Sequence, residues 1–303
     1  MAVAARVKPL DYFTPDEWAK LSARSRWKGL ALVAHAWAVI GLTMVAGVLW
    51  PITIPIGIMI VGTRQLGRAV LQHDAAHGAL HPNLKINDWV AEWICSPGLQ
   101  RYRDYHLQHH KYAQQSEDPD LVLSAPFPIS PTSLRRKIIR DLTGQTFFKQ
   151  RFSLLFARKP GQPLWPVIKA QAKRQKRFLI SNGIGLTAFS LAGYGWVYVA
   201  LWLVPMATWF PMVTRLRNIA EHALVAKDEP DPLRHARTTK ANLIERALIA
   251  PYWVNYHTEH HMFMHMPCWS LPKAHKILDA KSITQGMEIA PGYRAVLSAA
   301  AGA

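Results

Sequence analysis

The sequence predicts an all-α integral membrane protein, with about four transmembrane helices in two hairpins and a cytoplasmic helical cap. Three observations predict it. Two long stretches lack Asp, Glu, Lys and Arg altogether: 35 residues from Gly29 to Thr63 and 37 from Phe178 to Thr214. Basic residues flank both ends of each stretch. Nine of the fourteen histidines fall into four tight groups just outside the stretches.

A single 35-residue helix would reach about 52 Å, well beyond a hydrocarbon core of about 30 Å, so each stretch reads as two spans. The first breaks near Trp50-Pro51 and gives spans at about 29–49 and 51–71. The second breaks near Gly193-Tyr-Gly195 and gives spans at about 178–193 and 195–214. Arg64 and Arg68 close the first hairpin, where they can snorkel to the interface. The cap comprises 72–177 and 215–303, and the whole of 1–303 reads as one membrane domain. The first apolar stretch is too long for the core of a cleaved signal.

Arg24, Arg26 and Lys28 precede the first stretch; Lys173, Arg174, Lys176 and Arg177 precede the second, and Arg215 and Arg217 close it. The hairpin tips carry no charge. Both ends of both hairpins therefore lie on the positive, cytoplasmic side, with both termini and all four histidine groups. A net charge of +17 raises nucleic acid as a partner, but the charge is localised. Thirteen Lys or Arg and one acid, Asp141, fall between Pro131 and Arg177. That distribution suits anionic headgroups, and also an acidic electron donor, better than nucleic acid. Cys95 and Cys268, both assigned to the cytoplasmic side, form no metal-binding Cys-x-x-Cys pair and are not expected to form a disulfide.

The four groups are His73-x3-His77, His106-x2-His109-His110, Asn218-x3-His222 and His257-x2-His260-His261. Strides of three and four residues put side chains on one helical face, one turn apart. The first group extends the second span, and Asn218 and His222 extend the fourth. The remaining histidines, His35, His81, His235, His265 and His275, read as hydrogen-bonding residues. Nine imidazoles exceed the needs of a zinc site, and the protease string His-Glu-x-x-His is absent. Two ions of about five or six positions each would use nine nitrogens and leave room for solvent or oxygen. Iron is the ion that joins such a site to O2 chemistry. A transporter or a non-catalytic metal-binding protein is the rival class, but transporters place ligands near the midplane rather than at helix exits.

These motifs resemble the membrane fatty acid desaturase superfamily. HDAAHG, HLQHH and HTEHH match its three histidine boxes in order, and the likeness runs from about Leu71 to Ile277. HHKYAQQSEDPD and HTEHHMFMHMPCWSLPKAH are similar to the segments after the second and third boxes. The resemblance implies a non-haem diiron oxygenase held by His73, His77, His106, His109, His110, His222, His257, His260 and His261, with Asn218 contributing through a water. Asp74, Glu221 and Glu259 adjoin these ligands and are candidates to orient their imidazole N–H groups; solvated or ion-paired carboxylates are the alternative. Asp118 and Asp120 have no assigned role. With two electrons and O2, such a site removes hydrogen from an unactivated methylene. The first box has the three-residue gap of the acyl-lipid type. No His-Pro-Gly-Gly haem string and no dinucleotide-binding glycine turn occurs, which implies a separate donor, a ferredoxin or cytochrome with its reductase. The expected reaction is desaturation of a fatty acyl chain. The alternative is hydroxylation or ketolation of a carotenoid or other lipid at the same site.

Overall fold

The structure, a computed structural model, describes residues 7–124 and 126–302. It is mostly helical. α1 (Pro15–Ser22) opens on a capping box in which the Thr14 hydroxyl accepts from Glu17 N and the Glu17 carboxylate accepts from Thr14 N. α2 (Lys28–Leu49) ends before Pro51, which cannot donate to the preceding turn; a 3-10 turn at Pro51–Thr53 then leads into α3 (Ile54–Ala76). α4 (Leu84–Val90) runs into a π-helical turn, Ala91–Cys95, followed by α5 (Leu99–Tyr112) and α6 (Leu121–Ser124).

The basic segment forms α7 (Pro131–Leu142), α8 (Gln145–Arg151), α9 (Ser153–Phe156) and α10 (Leu164–Arg174). α11 (Lys176–Leu191) stops at Gly193, whose φ of +83° is the left-handed turn expected there. The return helix is α12 (Gly195–Tyr198), a π turn at Val199–Leu203, α13 (Val204–Ala207) and α14 (Trp209–His222). The π turn has a cause in Pro205, which leaves the Leu201 carbonyl without its ordinary helical donor.

α15 (Leu243–Leu248), α16 (His257–Met262), α17 (Leu271–Ala280) and α18 (Tyr293–Ala300) complete the helices. Among the described residues, the departure from an all-helical chain is one pair of parallel strands, β1 (Arg237–Thr239) and β2 (Glu288–Ala290), with Thr238 opposite Ile289.

Among the described residues, three helices are long and apolar enough to cross a bilayer: Lys28–Leu49, Pro51–Ala76 and Gly195–His222. The segment expected to supply a further span is α11, whose 16 residues reach about 24 Å. That is short of a hydrocarbon core of about 30 Å.

Two compact units make up the chain. One comprises 1–37, 66–134 and 214–303; the other comprises 38–65 and 135–213. The second unit has a core of Ile40, Met44, Val61, Val197 and Leu201. Glycine permits its close helix contacts: a Cβ on Gly47 would lie 2.5 Å, and one on Gly57 2.8 Å, from a Leu201 methyl. Asn182 Oδ1 accepts from Tyr198 Oη and Trp202 Nε1, each at 3.0 Å, so the polar atoms of this apolar bundle satisfy one another.

In the first unit, Phe13, Trp18 and Phe263 pack their rings together, joining α1 to the chain just beyond α16. Arg68 departs from the expected snorkelling. Its guanidinium lies 4.2 Å over the Trp37 ring and donates to the Ile94 carbonyl, so its charge is engaged within the unit.

Candidate metal centre

All nine grouped histidines lie in the first unit, where four helix ends bring them together. α3 carries His73 in its last turn, and His77 follows at the Gly78 turn, where φ is +67°. α5 supplies His106, His109 and His110; α14 ends on His222; α16 supplies His257, His260 and His261. Ahead of α16, Tyr252 and Trp253 both adopt left-handed φ values, 55° and 59°. Two successive strained non-glycine residues must be held by their surroundings. The Tyr252 ring lies so close to α3 that a Cβ on Gly67 would stand 2.7 Å from it.

The imidazoles separate into two sets. His73, His77, His106, His110 and His260 form one; His109, His222, His257 and His261 form the other. Within each set the available nitrogens all lie within 4.8 Å of one another. His110 Nε2 is 3.0 Å from both His106 Nε2 and His260 Nε2. In the second set the Nε2 atoms run from His109 to His261 (3.3 Å), to His257 (3.2 Å) and to His222 (2.9 Å).

Hydrogen bonding does not account for this packing. A neutral imidazole has one N–H, which points at one acceptor at a time. The four nitrogens of the second set share three contacts and have protons for at most two of them. In the first set, His73 Nε2 and both His77 nitrogens are buried with no hydrogen-bond partner among the described residues. Orphaned buried nitrogens are costly unless something electron-poor occupies the point they face. Donors at right angles around an ion about 2.1 Å away stand about 3.0 Å apart. The observed spacings match that edge length, so the donor set fits one metal ion per set.

Protonation is arranged to suit. Burial holds His77 down to about 3, with repulsion from His265 the next contribution. Burial first, then neighbouring imidazoles, keeps His106, His110, His257, His260 and His261 well below the usual imidazole range. They are neutral at physiological pH, the form in which imidazole ligates.

Each of the three candidate carboxylates has a partner. Asp74 accepts from the backbone N–H of Cys268 at 3.0 Å. Buried Glu259 accepts from His275 Nδ1 and from the Thr238 hydroxyl, which fastens α16 to α17 and β1. Glu221 pairs with Arg217 at 2.5 Å, and its other oxygen lies 3.5 Å from His257 Nε2. The acid that grips a clustered imidazole from behind is Asp118. His109 Nδ1 donates to Asp118 Oδ1 at 2.8 Å, which turns His109 Nε2 toward its set. Asp118 is itself held by the N–H groups of Gln114 (2.9 Å) and Asp120 (2.8 Å). The sequence held only a weak signal for it, an Asp-Pro-Asp in the loop after a histidine-bearing helix.

Of the histidines outside the groups, His35 bonds Tyr252 Oη, His81 Asn83, His235 the Glu229 carbonyl and His265 the His77 carbonyl.

Two openings reach the imidazoles. A polar cleft is lined by Asn218, Glu221, Asp120, Arg217 and Tyr102 beside His109, His222 and His257. Asn218 thus faces the four-histidine set from one turn before His222. A narrow apolar cavity, walled by Val70, Tyr252, Val254 and Leu271, touches His73 and His260 of one set and His257 of the other.

The profile of a family described as fatty acid desaturase matches residues 48–292, most of the chain. The chain belongs to the fatty acid desaturase family. It is similar to dihydrorhizobitoxine desaturase of Bradyrhizobium elkanii, 26% identical over 236 residues, 74% of this chain and 67% of that one. It is also similar to a beta-carotene ketolase of Paracoccus sp. (strain PC1), 26% identical over 86% of this chain and 88% of the ketolase. A third relative is the sn-1 acyl-lipid omega-3 desaturase (ferredoxin) of Synechocystis sp., 25% identical over 73% of this chain and 66% of that one. The chain spans about two thirds of the length of these two desaturases. Membership makes it an oxidoreductase, and the paired histidine sets of this desaturase-family chain are able to hold metal.

Proposed function

We propose that the two histidine sets hold two iron ions and that the protein desaturates the acyl chain of a lipid with O2. The observation that carries this reading is the pair of buried imidazole sets with orphaned, metal-facing nitrogens, in a chain of the desaturase family. His73, His77, His106, His110 and His260 would hold one ion. His109, His222, His257 and His261 would hold the other, with Asn218 contributing through a water. The ions, once bound, supply the O2 activation needed to attack an unactivated C–H bond.

The overall reaction balances as one CH2–CH2 unit, O2, two electrons and two protons giving CH=CH and two waters. The chain's own residues do the rest. The apolar cavity walled by Val70, Tyr252, Val254 and Leu271 excludes water and sets a methylene segment against both histidine sets. The polar cleft beside Asn218 and Glu221 gives water a way out. Asp118 Oδ1 holds the proton of His109 at Nδ1, which keeps Nε2 free to ligate.

Electrons come from a separate protein, a ferredoxin or cytochrome with its reductase. One relative carries ferredoxin in its name. The three long apolar helices cross the bilayer, and α11, only 16 residues long, would be a short fourth span that completes the second hairpin. The basic flanks set the histidine-bearing cap and both termini on the cytoplasmic side, and the whole chain works as one membrane domain.

A second reading, ketolation or hydroxylation of a carotenoid, is favoured by one observation. The ketolase alignment covers more of both chains than either desaturase alignment does. Mass spectrometry of lipids from cells that express this chain and supply a ferredoxin and carotenoids, against a His109→Ala control, separates the readings. Acyl chains lighter by two hydrogens, absent from the control, support the desaturase. Oxygen gained on a carotenoid supports the second reading, and acyl products persisting in the control would refute the assigned site.

A further inference from the structure

We propose that the helical hairpin α8–α10 is a surface anchor that binds anionic lipid headgroups. The inference rests on the reading that α11 enters the bilayer, and it makes no use of the metal centre. Residues 145–174 contain seven cations, Lys149, Arg151, Arg158, Lys159, Lys169, Lys173 and Arg174, and no acid. All lie in the second unit.

Side-chain hydrogen bonds tie the base of the hairpin together. Buried Gln171 and Gln175 each donate through Nε2 to the Arg151 carbonyl at 2.9 Å. Gln171 Oε1 accepts from Leu154 N at 3.1 Å, and Arg174 donates to the Ser153 hydroxyl at 3.1 Å. Three short helices are thus bonded to one another as a pair of arms. Neither arm is a long helix; side-chain hydrogen bonds join them, and Val167 of α10 is buried.

What the arms present is unusual for a water-facing turn. Every residue from Phe156 to Pro166 is exposed. Phe156, Leu164 and Trp165 are 65%, 52% and 63% exposed, and they share the tip with Arg158 and Lys159. Lys169 Nζ sits 5.6 Å over the Trp165 ring. Exposed aromatic and aliphatic side chains interleaved with cations are poorly matched to water. They match the interfacial zone of a bilayer, where rings sit among headgroups and ammonium and guanidinium groups meet phosphates.

Position argues the same way. Gln175 alone separates the arm from α11, whose uncharged run starts at Phe178. The hairpin therefore lies where the chain meets the headgroups. An acidic protein would match the charge, but headgroups are within reach of this connection at all times. Because the tip carries cations and no acid, it favours anionic over zwitterionic lipid.

Hydrogen exchange by mass spectrometry tests this on the full chain in nanodiscs of phosphatidylcholine alone or mixed equally with phosphatidylglycerol. We expect amides of 156–166 to exchange at least about fivefold more slowly with phosphatidylglycerol present, the effect of one or more cations at an anionic surface. The variant R158E/K159E/K169E is expected to lose that difference while the amides of α2 and α3 are unchanged. Trp165→Ala, which keeps every charge of the chain, is expected to raise exchange at the tip in both lipids. Equal exchange of 156–166 in the two lipids, with α11 slow in both, overturns the anchor and leaves the membrane reading standing. Fast exchange throughout α11 in both lipids overturns the membrane reading and the anchor with it. No response to phosphatidylglycerol but slowing by added polyglutamate would assign the surface to an acidic protein and overturn the proposal.

Discussion

Asp118→Asn tests how the four-histidine set is held. Both carboxylate oxygens are engaged: Oδ1 accepts from His109 Nδ1 at 2.8 Å and from Asp120 N at 2.8 Å, and Oδ2 accepts from Gln114 N at 2.9 Å. All its partners are donors. The amide of Asn keeps one acceptor oxygen and puts an NH2 where the other stood, so one buried donor must face another donor. Leaving a buried donor unsatisfied costs about 1–3 kcal/mol. If the His109 bond is the one lost, the ring is free to turn, and loss of such an orienting partner lowers metal affinity about 10–100-fold. The five-histidine set contains no group that touches Asp118 and is expected to keep its ion. A chelator titration of the purified protein, followed by elemental analysis, should show the variant releasing one ion at a chelator concentration about 10–100-fold lower than wild type. The second ion should be released as in wild type. Coincident release of both ions at the wild-type midpoint would refute the reasoning, because the bond at His109 would then carry no orienting role.

Other expectations follow from single contacts. Gly67→Ala places a methyl 2.7 Å from the Tyr252 ring and must displace the strained turn ahead of α16; thermal unfolding in detergent should show a loss of about 1–3 kcal/mol. Gly41→Ala has nothing within 4 Å and should stay within about 0.5 kcal/mol by the same assay. Asn182→Leu leaves the Tyr198 hydroxyl and Trp202 indole without their shared acceptor and should destabilise the second unit by about 1–2 kcal/mol on unfolding in SDS. His275 is raised above its ordinary 6.5 chiefly by its bond to Glu259. Stability from that pair is therefore fully present below about pH 6.5 and lost as pH rises through the raised value. His275→Gln should flatten this part of the stability profile measured by thermal unfolding across pH.

Much of this was legible because the deciding signals are local. Pro51 and Gly193 broke the two apolar stretches where the sequence said they would, one by lacking an N–H and the other by tolerating positive φ. Histidine strides gave the shared faces. The partition into five and four was not read, although its cause is simple. Consecutive helical residues diverge by about 100°, so His109 and His110 turn to different sets, whereas His106 and His110, or His257 and His261, a turn apart, stay together.

Three features depended on tertiary contacts that spacing does not encode. Asp118 returns to His109 only through the loop that begins at Gln114, where φ is 62°. Glu259 adjoins a grouped histidine in sequence yet points to His275 and Thr238, because α17 and β1 lie on that side. Arg68 finds Trp37 and the Ile94 carbonyl, neither of which its own helix reveals.

Metal stoichiometry decides whether the nine histidines form two separate iron sites. Iron per chain should be measured by elemental analysis on wild type, on His110→Ala from the five-histidine set and on His261→Ala from the four-histidine set, with Mössbauer spectra of the same samples. Two irons are expected in wild type, and in each variant the loss of one ion together with a different iron signal. Wild-type protein binding one iron or none, or both variants retaining two, would contradict two separate sites.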